Sequence, residues 1–396
     1  MEVKTVILDK LPIHDTSWSM TAGADGKIYC AACCEMTGGA AAYMVRYDAA
    51  TGKLDYLFDV GEVVGEPADN GRATQCKVHY SLLPTSDGLL WGTTHLSGAP
   101  KGDIVYPHWG GWRDRRRSYR GAMFFVLDLA TDKIVDRGLM VPEEGSRAQA
   151  LSERYGLIYV VGYPIDHFMV YDIKARKLTD CGRIGSVNPQ TIWVDPDDNG
   201  YTADDFGRIL RYDVQKRKLI ELNVRVPHPN YQTGWHTVPY DVVAGPDPAV
   251  VFGVTWTAFP HFFRYDMGDG PEGRMDDLGP VHAYYTGEEP SQMGFDHVGG
   301  MVLADDGMIY CGVNTPNEKS EVETHLTRID PADGKREDLG VAREGDHIAH
   351  YFARGARAGN GDLVFCTPSY VPTRLYIHRP DYSGKKKIPV PLRRWG

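Results

Sequence analysis

Two histidines and a tyrosine are placed so that they could transfer protons at one point. His79 opens the strand-like segment "HYSLLP", His95 ends "LLWGTTH", and Tyr163 ends the corresponding segment "YVVGY" of the next unit. Histidine and tyrosine are among the side chains that act as general bases and acids. With an arginine beside them, such a set can remove a proton next to a carboxylate and protonate a leaving oxygen. Arg147 and Arg116 are the candidates for that arginine.

A second unusual segment, "HWGGWRDRRRSYRG", combines positive charge with aromatic rings in a chain whose formal net charge is -10. Arginine binds carboxylate or sulfate groups through two parallel hydrogen bonds. Aromatic rings offer flat faces to sugar rings. We therefore predict a loop that binds an anionic ligand, and the alternative is a solvated loop that balances the acidic body. The predicted substrate contacts in this loop are Trp109, Trp112, Arg113, Arg115, Arg116, Arg117 and Tyr119.

Repeats along the chain indicate the architecture that must position these residues. Each unit has a turn and strand such as "DGKIYCAA", a second strand such as "ILRYD", and a turn with a closing strand such as "AATGKLDYL". The strands are rich in β-branched and aromatic residues, and Asp-Gly in the turns permits positive φ angles. The second strands of the seven units close at Asp48, Asp128, Asp172, Asp213, Asp266, Asp330 and Asp381.

This pattern predicts an all-β fold, namely a seven-bladed β-propeller with four-stranded blades, in which residues 1–396 form a single domain. The last unit ends near Val390, with little chain left for a fourth strand. Val3–Leu11 is a free strand before the first unit. We therefore expect this N-terminal strand to be the outer strand of the last blade and to close the propeller.

Polar residues open most of the inner strands, where a core strand would ordinarily begin with an apolar residue. They are His79, Gln149, Gln190, His236, His297 and His350. We expect them near the mouth of the central channel, with Gln149, Gln190, His236 and Trp256 as further substrate contacts. His297, His347 and His350 are candidate ligands of one divalent metal ion (Zn, Mn or Ca), although their spacing is not diagnostic of a metal site.

The segments "HYSLLPTSDGLLWGTTH" and "YVVGYP" resemble the active-site segments of the seven-bladed polysaccharide lyases, namely the ulvan lyases and their relatives. In that group two histidines of one blade and a tyrosine of the next form the active site with an arginine. The resemblance implies cleavage of a uronate-containing oligo- or polysaccharide by β-elimination, with His79, His95 and Tyr163 as acid–base residues. The chain also resembles the oligogalacturonate lyases, which hold a metal ion with channel histidines and a glutamine.

Two other classes of function remain open on the sequence alone. A propeller that only binds carbohydrate or protein needs no histidine–tyrosine cluster, and a lectin would repeat its site across the blades. A propeller glycoside hydrolase needs two carboxylates at the channel mouth. Asp204 and Asp205 are the candidates for that pair, although adjacent residues of one strand usually point apart.

Composition narrows the partners and the compartment. The acidic balance argues against nucleic acid as a partner, and no segment approaches the ~18 apolar residues of a membrane-spanning helix. The first residues, "MEVKTVILDKLPIHD", lack the pattern of a signal peptide. We therefore expect a cytoplasmic protein that acts on an anionic carbohydrate, or a secreted or periplasmic one if a leader has been removed.

Overall fold

Seven antiparallel sheets of four strands each make up the computed structural model, which confirms the predicted seven-bladed β-propeller. The structure describes residues 1–35, 40–95, 114–185, 190–227, 238–256, 260–281, 298–316, 322–368 and 371–396. In every blade the first strand lines the central channel and the later strands follow outward in order. We call the end of the channel where the inner strands begin the upper end, and the opposite end the lower end.

The first three blades follow one another from near the N-terminus, and their strands are given from the inside outward. Blade 1 contains β2 (Met20–Ala22), β3 (Ile28–Ala32), β4 (Tyr43–Asp48) and β5 (Lys53–Asp59). Blade 2 contains β6 (Lys77–Pro84), β7 (Leu89–His95), β8 (Gly121–Asp128) and β9 (Lys133–Pro142). Blade 3 contains β10 (Gly145–Ser152), β11 (Leu157–Tyr163), β12 (His167–Asp172) and β13 (Lys177–Arg183).

The remaining blades repeat this arrangement. Blade 4 contains β14 (Trp193–Val194), β15 (Gly200–Ala203), β16 (Arg208–Asp213) and β17 (Lys218–Arg225). Blade 5 contains β18 (Val238–Ala244), β19 (Val250–Trp256), β20 (His261–Asp266) and β21 (Arg274–Pro280). Blade 6 contains β22 (Val298–Leu303), β23 (Ile309–Pro316), β24 (Val322–Ile329) and β25 (Arg336–Val341). Blade 7 contains β28 (Arg354–Arg357), β29 (Leu363–Cys366), β30 (Arg374–His378) and, as its outer strand, β1 (Lys4–Ile7).

Two short elements join blades. The helix α1 (Val60–Val64) follows blade 1; the Asp59 side chain accepts a hydrogen bond from the backbone N–H of Glu62, and Gly65 ends the helix in the left-handed conformation. The hairpin of β26 (Arg343–Glu344) and β27 (His347–Ile348) connects blades 6 and 7.

The N-terminal strand closes the propeller, as predicted. β1 pairs antiparallel with β30, from Lys4 opposite Ile377 to Ile7 opposite Arg374. The strand is shorter than the predicted Val3–Leu11, because hydrogen bonds to β30 end at Ile7 and the chain then turns. Because β30 would otherwise be an unpaired edge, the two ends of the chain are joined by main-chain hydrogen bonds within one blade.

The C-terminal segment has a role that the sequence did not indicate. After β30 the chain runs back along the lower end, and residues 388–396 enter the central channel. The Leu151 N–H donates to the Arg394 carbonyl at 2.7 Å, and the Gly396 N–H donates to the Gln149 carbonyl at 3.1 Å. The indole N–H of Trp395, which is buried, donates to the Val242 carbonyl at 2.9 Å. The tail therefore crosses between the inner strands of blades 3 and 5.

Removal of residues 1–8 should destabilise the protein strongly, because it uncovers the edge of β30 and the core beneath it. We expect the melting temperature, followed by circular dichroism, to fall by about 10 °C or more. Lys4→Ala changes only an exposed side chain of the same strand and should leave the melting temperature nearly unchanged. A truncated protein that melts with the full-length chain would show that β1 does not close the propeller.

Candidate active site

Bulges in the inner strands carry side chains into the upper part of the channel. The pairing register shifts between Val78 and Leu82 in β6, and between Ser146 and Ala148 in β10. The residues left out of the regular pairing include His79 and Arg147. Tyr80, within the first bulge, has a φ of 40°, a conformation that a tyrosine adopts only when the surroundings impose it. Bulges re-aim side chains, and here they aim a histidine and an arginine at one place.

Four aromatic rings from three blades form a continuous row at this level. Trp18, just before blade 1, stacks on His79 with ring centroids 5.3 Å apart. The ring of His79 is 5.3 Å from that of His95, and His95 is 4.6 Å from Tyr163. The structure therefore brings together the histidine pair of blade 2 and the tyrosine of blade 3. His79 and His95 are each 1% exposed, whereas Tyr163 is only partly buried.

Backbone carbonyls fix the orientation of both imidazoles. His79 Nδ1 lies 2.7 Å from the Arg147 carbonyl, and His95 Nδ1 lies 3.1 Å from the Ser146 carbonyl. A carbonyl only accepts hydrogen bonds, so each Nδ1 carries the proton and each Nε2 presents its lone pair. His79 Nε2 is buried and has no hydrogen-bond partner in the described part of the chain. Each ring is thus held in the tautomer that can accept a proton at Nε2.

The environment keeps His79 neutral at physiological pH. Burial lowers the pKa of His79 well below its usual value, and the positive charges of Arg147 and Lys77 lower it further, with a smaller effect from His95. The same physical cause acts in the opposite direction on Tyr163: burial raises the pKa of its hydroxyl, and Arg147 only partly offsets this. At neutral pH the site therefore contains an unprotonated imidazole and a protonated phenol.

A buried ion pair forms the side of the site next to Trp18. Lys77 Nζ lies 2.6 Å from Glu35 Oε1, and the Trp18 indole N–H donates to Glu35 Oε2 at 2.7 Å. Burial lowers the pKa of Lys77, although Glu35 opposes this change. Burial would raise the pKa of Glu35, but Lys77, with smaller effects from Trp18 and Arg147, holds it below its usual range. The two groups therefore neutralise each other and leave little charge for a ligand.

Arg147 is the cation of the site that remains for a ligand. Its guanidinium donates to the side-chain oxygen of Gln190 and lies 5.6 Å from the centre of the Tyr163 ring. No carboxylate of the described residues is within ion-pair distance of it, and its Nε–H has no hydrogen-bond partner there. A partly buried guanidinium whose charge is not paired is suited to bind a carboxylate.

Tyrosines and a buried ion pair form the floor below this layer. The ring of Tyr80 lies 4.1 Å from that of His79 and 3.6 Å from the guanidinium of Arg354 on its other side. Arg354 in turn pairs with Asp241, and both side chains are fully buried. Tyr240 and Tyr351 share a hydrogen bond between their hydroxyls in the same part of the channel. The histidines therefore rest on a layer that is fixed from blades 5 and 7.

The other predicted substrate contacts are distributed more widely. Gln190 lies in the site as the partner of Arg147, and Trp256 lies across the channel, 5.9 Å from Tyr240. Gln149 points between blades 2 and 3, where its amide contacts Thr93 and Met140, so it is not part of the site. His236 lies outside the described residues.

The structure describes only the second half of the basic loop. Trp109, Trp112 and Arg113 lie outside the described residues. Arg115 and Arg116 are 87% and 91% exposed, and Arg117 is also exposed. Tyr119 is buried and its hydroxyl bonds to Thr94 at 3.0 Å, so this ring packs inside blade 2 and does not face a ligand.

The predicted metal ligands are not gathered in the part of the chain that can be described. His297 lies outside it. His347 Nε2 lies 3.0 Å from the Tyr376 hydroxyl and 3.2 Å from Arg374, and His350 is exposed. Among the described residues no group of three or more His, Cys, Asp or Glu side chains could hold a metal ion.

The alternative carboxylate pair does not look like the pair of a glycoside hydrolase. Asp204 Oδ1 accepts hydrogen bonds from the N–H groups of Phe206 and Arg208, both at 2.9 Å, and so stabilises the turn after β15. That turn lies outside the ring of inner strands. Asp204 is therefore explained by its turn.

Lys77, Glu35 and Trp18 belong to the site, although sequence reasoning did not select them. Lys77 precedes His79 by two residues, and side chains two apart in a strand share a face, so the period of β6 could have indicated it. Glu35 and Trp18 follow or precede strands of blade 1 at their upper ends. No sequence pattern that we recognise marks them.

Comparison with known proteins supports the fold and goes no further. No protein-family model and no curated protein matches this chain. Among solved structures, streptogramin B lyase is similar with a TM-score of 0.58 at 13% identity, over 95% of this chain and 97% of that one. Virginiamycin B lyase from Staphylococcus aureus gives 0.57 at 10% identity, over 95% and 98%.

A third similar structure is the extracellular domain of the one-component system BT4673 from B. thetaiotaomicron, with a TM-score of 0.58 at 11% identity. The match covers 96% of this chain but only 40% of that one. These distant neighbours share the propeller fold, and none of the three tests the resemblance to the ulvan lyases. In the described part of this chain, no helix is long and apolar enough to cross a membrane.

The buried, neutral His79 should make the protein less stable in acid. In the unfolded chain a histidine binds a proton below about pH 6.5, whereas folded His79 resists protonation, so the free energy of unfolding should fall as pH decreases below that value. His79→Gln should reduce this loss by up to about 1.4 kcal/mol per pH unit, measured by urea unfolding at pH 7 and pH 5. The control His350→Gln changes an exposed histidine and should keep the wild-type slope. An unchanged slope in His79→Gln would contradict a neutral His79.

Proposed function

We propose that this propeller is a lyase that cleaves a uronate-containing, anionic oligo- or polysaccharide by β-elimination. The observation that carries the proposal is the unpaired guanidinium of Arg147 beside Tyr163 and the row of His95 and His79. Elimination needs a positive group for the uronate carboxylate, a base for the adjacent carbon and an acid for the leaving oxygen. These residues supply one of each within a single layer of the channel.

In the proposed reaction Arg147 binds the uronate carboxylate and stabilises the charge that develops on it. An imidazole Nε2 takes the proton from the carbon next to the carboxylate. The electrons of that C–H bond form a carbon–carbon double bond, and the bond from the neighbouring carbon to the glycosidic oxygen breaks. Tyr163 donates its proton to this oxygen. The products are an unsaturated uronate and a sugar with a free hydroxyl group, so the step needs no water, oxidant or reductant.

Exposure assigns an order to these contacts. Arg147 and Tyr163 are partly exposed, whereas His79 and His95 are each 1% exposed. A sugar can therefore contact the arginine and the tyrosine first, and it reaches the imidazoles only if side chains at the mouth move. Tyr163 and Arg147 are for this reason the residues whose replacement tests the proposal most sharply.

The test is the absorbance near 235 nm during incubation with a panel of uronate-containing polymers and oligosaccharides, because elimination creates an unsaturated uronate and hydrolysis does not. Tyr163→Phe should reduce the rate at least ~10²-fold, the usual contribution of one acid–base group. Arg147→Gln should reduce it similarly. Tyr155→Phe removes a hydroxyl from a surface turn of the same blade and should keep full activity. No absorbance change with any uronate, or full turnover by Tyr163→Phe, would contradict the assignment.

The pH profile should be bell-shaped with a broad top. The base must be neutral and the acid protonated; burial lowers the pKa of His79 and raises that of Tyr163, so the two limbs move apart. We expect kcat/KM to remain level from about pH 6.5 to pH 10, falling on the acidic side below and the alkaline side above. A narrow optimum within that range would show that other groups carry the reaction.

The basic loop should contribute to binding without contributing to stability. Replacing Arg115, Arg116 and Arg117 together with alanine removes side chains that are exposed in the structure. We expect KM for an anionic substrate to rise, the melting temperature to stay nearly constant, and the salt dependence of binding to weaken, because salt screens exposed charges over ~10 Å at 0.1 M. An unchanged KM in the triple variant would identify the loop as a solvated surface segment.

A further inference from the structure

A cavity of about 340 Å³ lies at the lower end of the channel, on the far side of the tyrosine layer from the candidate active site. All of its lining residues are described. They come from the inner strands of several blades, from the turn after β2, and from the tail that crosses the channel. Its size is within the range of pockets that bind small molecules.

Apolar side chains form most of the wall of this cavity. Val194, Val243, Leu303, Val390 and Leu392 line it, together with part of the Trp395 ring. A channel wall of this kind favours the hydrocarbon part of a ligand, because burial of apolar surface releases about 25 cal/mol per Å². Sugars and other fully polar molecules gain nothing from it.

Positive charge surrounds the same cavity in excess of negative charge. Three carboxylates hold the tail at the lower end, and each is shared by two cations. Asp241 pairs with Arg354 and Arg393, Asp198 with Arg154 and Arg394, and Asp305 with Arg357 and Lys387. In each case one cation comes from the tail. Three of these arginines, namely Arg357, Arg393 and Arg394, line the cavity itself.

Three polar groups among the lining residues have hydrogen-bonding capacity that the described protein does not use. The Nε–H groups of Arg357 and Arg393 and the hydroxyl of Thr21 are buried and have no hydrogen-bond partner in the described residues. Thr21 is almost fully buried. Buried polar groups are ordinarily bonded, and a ligand that brings an acceptor would satisfy the two arginine donors.

We propose that this cavity is a second binding site, which takes a small amphipathic anion with an apolar body and one carboxylate or sulfonate group. The apolar wall binds the body of the ligand, and the surplus cations attract its charged group. The site is independent of the proposed lyase reaction, because the layer of Tyr80, Tyr240 and Tyr351 separates it from Arg147 and the histidines.

Two fluorescent probes with the same ring system test the proposal on the intact chain. 8-Anilinonaphthalene-1-sulfonate carries a sulfonate, and N-phenyl-1-naphthylamine is its neutral counterpart. The folded protein should bind the sulfonate with saturable, blue-shifted fluorescence and 1:1 stoichiometry, and should bind the neutral probe at least about tenfold more weakly. Octanoate should compete with the sulfonate, and added salt should weaken its binding.

Matched variants locate the bound probe. Arg357→Gln and Lys387→Gln each remove one of the two cations of Asp305, but only Arg357 lines the cavity. Arg357→Gln should weaken sulfonate binding about tenfold, and Lys387→Gln should change it less than about twofold. The pair Arg394→Gln and Arg154→Gln repeats the comparison at Asp198, in case one variant fails to fold. Arg147→Gln, at the upper end, should bind the probe normally.

Four results would overturn the proposal. They are the absence of saturable binding, equal affinity for the two probes, equal effects of the two variants at one carboxylate, and loss of binding in Arg147→Gln. The last result would place the probe at the upper end of the channel. Since the readout is fluorescence, it remains informative whether or not the protein shows lyase activity.

Discussion

The buried carboxylate of Asp241 is the interaction on which the rest of the channel depends. It accepts from Arg354 of blade 7 and from Arg393 of the tail, and its other oxygen accepts from the Met301 N–H of blade 6 at 2.9 Å. Loss of one partner of such a pair costs about 3–5 kcal/mol, because a charge is left buried without compensation. The pair therefore holds three blades and the tail at one point, and Arg354 extends this order to Tyr80 in a fourth blade.

The asymmetry of the molecule follows from local breaks in a regular scaffold. Seven similar blades would give a channel with a repeated wall, but bulges occur at the level of His79 in β6, Arg147 in β10 and Tyr240 in β18. In β22 the bulge includes Gly300, whose φ of 70° suits a residue without a side chain. The upper end thus acquires one proton-transfer row with one unpaired cation, while the tail gives the lower end an apolar cavity.

The seven blades and the closing strand were predictable because they follow from short-range patterns. The turn and strand phrases recur, and the missing fourth strand of the last unit required a partner such as Lys4–Ile7. The convergence of His79, His95 and Tyr163 was also predictable, because strand ends in neighbouring blades occupy equivalent positions. These inferences need only periodicity and closure.

Other features could not be read from the sequence, for physical reasons. Whether Tyr119 contacts a ligand or packs in the core depends on how the chain turns after the basic loop, and a local pattern of arginines and aromatics does not specify that turn. Gln149 falls on the inward-facing side of β10 by simple alternation, but the bulge at Arg147 changes which side chains face the channel. The tail enters the channel through ion pairs with residues that are up to 199 positions away in sequence. Such long-range pairing leaves no local signal.

The most direct test of the central claim is a crystal structure of the Tyr163→Phe variant with an uncleaved uronate oligosaccharide. The account predicts a uronate carboxylate within hydrogen-bond distance, about 2.7–3.2 Å, of the Arg147 guanidinium. It also predicts that the glycosidic oxygen faces the position of the missing hydroxyl and that an imidazole Nε2 faces the carbon next to the carboxylate. An oligosaccharide bound elsewhere on the propeller, or one whose carboxylate points away from Arg147, would contradict the account.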